Sequence, residues 1–139
     1  MGVVSIVLLL SSAALFGAML LFTLIVAPLV HSRLPAAEAS QFLRAVFPRY
    51  YLFNGLLALV ATLVAWQYSL FLFTLALLVL AGFVVAGGYL LPAINRARER
   101  RAQGEEAAQR FATLHRASVV VNLAQLLLLA LILVRLSSA

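Results

Sequence analysis

The sequence predicts an all-α integral membrane protein, an antiparallel bundle of four transmembrane helices, and three observations predict it. Hydrophobic residues fill 65% of the 139 positions, charged residues only 10%, and the mean hydropathy is +1.12. A soluble domain of this size has too much surface to bury that much apolar side chain. The apolar residues also fall into four long runs, and all but one of the arginines lie in two of the connections between them.

Val3 to Val30 carries no charge, and at ~1.5 Å rise per residue it exceeds what a ~30 Å hydrocarbon core requires. The run is too long for a cleaved signal peptide and has no basic segment before it, so it reads as a retained span that tilts or protrudes. Further spans are expected at about 47–66, 69–91 and 117–136, with connections at 31–46 and 96–116. Between the second and third spans only about Gln67 to Ser69 remains, beside Trp66 and Tyr68. No convincing repeat and no low-complexity linker divides residues 1–139, which read as one transmembrane domain.

The arginines set the orientation. Arg33, Arg44 and Arg49 belong to the first connection, and Arg96, Arg98, Arg100, Arg101, Arg110 and Arg116 to the third. By the positive-inside rule both connections face the cytoplasm and both termini lie outside it, in a bacterial inner membrane. Arg135 sits near a helix end, where it can snorkel to the outer interface. The net charge of +6 therefore reports topology, and no nucleic-acid partner is expected. Arg96, Arg98, Arg100 and Arg101 are candidates for contact with anionic lipid headgroups.

Two details of the connections are predicted. Pro35 can start a short interfacial helix with Ala39, Phe42, Leu43 and Val46 on one face, and Pro48 should bend the chain where that helix enters the membrane. Beyond the third span, AINRARERRAQ should stay helical to a cap at Gly104, with Glu105 and Glu106 suiting the positive end of the next helix. Small residues, among them Ala14, Gly17, Ala18, Gly55, Gly82, Gly87 and Gly88, allow close helix approach.

The fourth span begins with a polar stripe. His115, Ser118, Asn122 and Gln125 fall within an arc of about 80° over ~15 Å of helix, and hydrocarbon offers such groups no partners. Counted inward from the helix ends, Thr23, Asn54 and Tyr89 lie at the depth of Ser118 and Asn122, while His31 is level with His115. The candidate ligand-binding residues are thus Asn54, Tyr89, His115, Ser118 and Asn122, with His31, Tyr51, Asn95 and Gln125 secondary. The alternative is that the stripe serves as interhelical hydrogen-bonding glue.

Several chemistries are weakened or excluded. Without Cys or Asp, and with four Glu outside the spans and two His, no metal site is expected. No acidic residue lies within a span for an ion pathway, no Gly-rich phosphate motif occurs, and no catalytic residue is assigned. No cofactor is expected, although His31 and His115 share a leaflet and haem ligation by the two is geometrically allowed.

The motifs GAMLLFTLIVAPLVHSRLP, AVFPRYY, LLPAIN and FATLHRASVVVNLAQ resemble those of a family of small bacterial membrane proteins related to eukaryotic transmembrane protein 205. The resemblance implies a four-helix membrane protein and marks Gly17, Pro28, Phe47, Pro48, Tyr50, Tyr51, Pro92, Asn95, His115, Ser118 and Asn122 as motif positions. It implies no agreed activity. In size and hydropathy the chain is more distantly similar to CopD and HemJ membrane proteins, associated with copper handling and protoporphyrinogen oxidation, but it lacks their histidine within the first span.

The leading expectation is a non-enzymatic protein that binds or helps to move a lipid or other amphiphile through a polar pocket in the cytoplasmic leaflet. A structural or accessory subunit, binding a partner membrane protein or a second copy of itself, is the alternative. HemJ-like tetrapyrrole or haem redox chemistry is the minor one.

Overall fold

A backbone in hydrocarbon must satisfy its own donors and acceptors, and long uncharged runs of Leu, Val and Ala do so as helices. The computed structural model describes residues 2–138, and the described chain is helical almost throughout. Helix α1 spans Val3–Arg33, α2 Ala36–Tyr68, α3 Leu70–Gln103 and α4 Glu105–Ser137. At ~1.5 Å per residue each is about 50 Å long, more than the hydrocarbon core needs, and each is apolar enough to cross it. This is a multi-pass membrane protein with the four-helix architecture expected from its sequence.

The turns are minimal, and each has a local cause. Leu34 and Pro35 have extended ψ angles of 142° and 152° and separate α1 from α2. Ser69 alone separates α2 from α3, and its Oγ accepts from the Leu72 backbone N–H at 3.0 Å, capping α3. Gly104 separates α3 from α4 at φ 155°, ψ 174°, a region only glycine occupies cheaply. Glu105 and Glu106 open α4 as its sequence suggests.

One expectation is corrected. Ala36 to Tyr68 is a single helix with Pro48 inside it, so there is no separate interfacial helix ending at that residue. Proline removes one donor and crowds the carbonyls of the preceding turn. The carbonyl left without its helical N–H is that of Arg44; the Arg49 guanidinium donates one residue further on, to the Ala45 carbonyl at 2.7 Å.

The other two internal prolines act differently. In α1 the segment Phe22–Val26 is a π-helical turn followed by Pro28, and in α3 Ala86–Leu90 is another followed by Pro92. In each case the proline follows the turn's last residue by two positions. The wider i→i+5 pattern accommodates the missing proline N–H without breaking the span.

The helices form a ring in which α1 packs on α2, α2 on α3, α3 on α4, and α4 back on α1. Towards the termini the centre is filled by Leu8, Leu15, Val79, Phe83, Leu129 and Ile132, with Ala58, Ala61 and Ala65 bringing α2 close. Towards the Arg-rich turns this core divides. Val30, Ala39 and Leu43 form one small cluster between α1 and α2, while Ala86, Leu90 and Ile94 form another that packs against α4.

At the boundary the Gln125 side chain, only 4% exposed, donates from Nε2 to the Val79 carbonyl at 2.9 Å. Gly82 makes room for it, because a Cβ there would stand 2.6 Å from Nε2. Gly82→Ala is expected to displace this amide and cost about 1 kcal/mol, read as a lower thermal midpoint of the detergent-solubilised protein. In a Gln125→Ala background the same substitution should cost much less; equal losses in both backgrounds would contradict this role for the glycine.

Candidate functional site

Where the core divides, a cavity of about 710 Å³ opens at the Arg-rich end. From α1 it takes Phe22 and Thr23 of the π turn together with Ala27, Pro28 and His31. Helix α2 contributes Leu43, Phe47, Tyr50 and Tyr51, and α3 contributes Leu91, Ile94, Arg98 and Arg101. Its fourth wall is the α4 stripe, Phe111, His115, Ser118 and Asn122, flanked by Val119 and Leu123. Positions 111, 115, 118 and 122 follow the spacing that keeps one helix face in line.

The wall is fixed by few polar bonds and many ring contacts. Asn122 Nδ2 donates to Thr23 Oγ1 at 3.0 Å, tying α4 to the π turn of α1. Ser118 Oγ donates within its own helix to the His115 carbonyl at 2.7 Å. Phe22 meets Tyr50 at 4.6 Å and Phe47 at 5.2 Å between centroids, and Phe47 stacks on Tyr51 at 5.6 Å. Gly87 of the second π turn lies against Tyr51, where a Cβ would come within 3.2 Å of the tyrosine Cβ.

At the mouth, Arg98 and Arg101 lie 5.8 and 5.1 Å from the Phe111 ring centroid. Phe111 is in turn near-parallel to His115 at 6.2 Å. Arg44 on α2 pairs with Glu99 on α3 at 2.6 Å, across an exposed surface, so the pair adds little to stability.

Of the residues singled out in the sequence, His115, Ser118, Asn122, His31 and Tyr51 share the cavity, and four others do not line it. Tyr89 is 61% exposed on the outside of α3. Ala86 and Leu90, buried at the ends of the π turn, define its inward face, and Tyr89 is rotated away from it. Asn54 is fully buried one turn beyond Tyr50 and Tyr51, and neither atom of its amide has a hydrogen-bond partner among the described residues. Gln125 belongs to the core, and Asn95 accepts a long 3.4 Å contact from Arg98.

The four arginines proposed to meet headgroups also separate. Arg98 and Arg101 turn into the cavity. Arg96 and Arg100 line a different concavity of about 860 Å³ inside the α3–α4 hairpin, with Glu105, Glu106 and Arg110. Tyr50 and Phe111 are lining residues that the polar stripe alone did not reveal. Phe111 was accessible to sequence reasoning, since it stands four residues before His115.

The family model described as a domain of unknown function, DUF4149, matches residues 10–103, which include most of α1 and all of α2 and α3. The lining residues of α4 lie outside the matched segment. No characterised protein and no solved structure matches the chain.

Two stability measurements check this geometry. A double-mutant cycle of Thr23→Val and Asn122→Ala should give a coupling of ~0.6 kcal/mol, as measured for interhelical bonds in membranes; zero coupling would mean the bond does not form. Asn54→Leu removes an unpaired buried amide at similar volume and should raise the thermal midpoint, by about 1–3 kcal/mol in stability. A fall instead would show that the amide is paired.

Proposed function

We propose that the chain, which belongs to the DUF4149 family, binds a lipid or other amphiphilic small molecule in the cavity at its Arg-rich end and helps to move it within the membrane. The observation that supports this reading is the cavity, about 710 Å³ with polar and aromatic walls, at one end of a bundle whose other end is closely packed. Its volume lies within the ~300–1,000 Å³ usual for small-ligand sites, whose walls are mainly apolar with a few placed polar groups. Thr23, Ser118, Asn122, His31 and His115 supply those groups, and the Phe22, Phe47, Tyr50 and Tyr51 cluster supplies the apolar surface.

In this reading the Arg-rich turns face the cytoplasm of a bacterial inner membrane, as the arginine asymmetry favours. We assign contact with anionic headgroups to Arg96 and Arg100, which lie outside the cavity. Kinship with eukaryotic transmembrane protein 205 is part of the same proposal and rests on the sequence motifs.

Native mass spectrometry of the protein released from its membranes tests the reading, because it reports bound mass and subunit number together. The wild type is expected to retain an amphiphile of reproducible mass. Ser118→Trp, which fills the cavity, should lose it, whereas Leu127→Trp on the 73% exposed face of α4 should keep it. Retention by Ser118→Trp, or no bound species on the wild type, would overturn the proposal.

A second reading, tetrapyrrole binding, has one observation in its favour, that both histidines line the same cavity. Freshly purified protein with featureless Soret absorption would remove it.

A further inference from the structure

The ionisable side chains lining the cavity are His31, His115, Arg98 and Arg101, with the phenols Tyr50 and Tyr51; no carboxylate is among them. The four glutamates of the chain lie elsewhere. Glu99 is paired with Arg44, Glu105 and Glu106 line the hairpin concavity, and Glu38 is exposed in the first turn of α2. The cavity is thus a region of one sign within a surface where charges otherwise mix.

Its two arginines are also held without being neutralised. Neither Arg98 nor Arg101 forms an ion pair among the described residues; both lie against the ring of Phe111, and Arg98 makes one long 3.4 Å contact to Asn95. A cation–π contact orients a guanidinium while leaving its charge and its N–H donors available. Carboxylate and phosphate are the groups that such a fork binds best.

Deeper in, the character changes. Phe22, Phe47, Val119 and Leu123 line the cavity beyond the basic mouth, and the polar groups at that depth, Thr23 and Asn122, are bonded to each other. The lining therefore grades from basic to apolar along one axis. It also opens to the outside of the bundle, where Val119 and Leu123 of α4 are exposed beside it.

Resting on the amphiphile-binding reading, we propose that the ligand is a single-tailed amphiphile with an anionic head, a carboxylate or a phosphate ester. Its head is held by Arg98 and Arg101, and its tail runs along Phe22, Phe47, Val119 and Leu123. A volume of about 710 Å³ suits one tail with its head, within the ~300–1,000 Å³ range of single small ligands.

The test uses the full chain in nanodiscs of zwitterionic lipid, titrated with hexadecanoate, hexadecyl phosphate and the uncharged glycerol monohexadecanoate. The expected result is that at least one anionic probe binds more tightly than the uncharged one by about tenfold or more. Comparing the two anions identifies the head. R98Q/R101Q should abolish that preference while leaving the uncharged probe unaffected, and R98K/R101K should restore part of it.

Equal binding of charged and uncharged probes would overturn the anionic assignment and leave the amphiphile pocket standing. Loss of preference in the lysine variant as complete as in the glutamine variant would also overturn it. No binding of any probe would overturn both proposals.

Discussion

Hydrocarbon supplies no hydrogen-bond partner, and most of this architecture follows from that constraint. It forces the chain into helices that run with almost no break, so that Leu34, Pro35, Ser69 and Gly104 suffice to reverse direction three times. It also governs how the internal prolines are tolerated. At Pro28 and Pro92 the helix widens into a π turn, and at Pro48 the helix runs on without one. At the two π turns the break in the bonding pattern is absorbed locally, and in all three helices the chain continues past its proline.

The same constraint decides what polar side chains do. Gln125 and Asn122 lie three residues apart on α4 yet bond in different directions, one to the backbone of α3 in the core and the other to Thr23 on α1 beside the cavity. Between them passes the boundary between a filled bundle and an open one. The filled half depends on alanines of α2 that let Leu, Val and Ile side chains meet at the centre. The open half is lined by aromatic rings of α1 and α2 that pack on one another.

Much of this was legible in the sequence, for identifiable reasons. Span number follows from length and hydropathy, and the helical hairpin at Gly104 from its punctuation by glycine and glutamate. The stripe from His115 to Asn122 follows from periodicity on an otherwise regular helix. Tyr89 was misplaced because counting depth says nothing of which way a residue faces, and the π turn Ala86–Leu90 departs from the 100° spacing that would have supplied it. Asn54 and Gln125 were grouped with the cavity because depth and polarity do not distinguish a core amide from a lining one. The separate interfacial helix expected before Pro48 is absent because a proline lowers helix propensity without by itself ending a helix.

The connectivity of the ring has one further consequence. Three turns join four helices, so one interface of the four has no covalent strap, and in this order of packing it is the seam between the first helix and the last. The cavity lies on that seam, at the end remote from the chain termini. Parting α1 from α4 there stretches no turn; it works against the Thr23–Asn122 bond and the side-chain contacts around it. At the same end the α1–α2 and α3–α4 interfaces are strapped by the turns at Leu34–Pro35 and Gly104, and widening either would distort its turn.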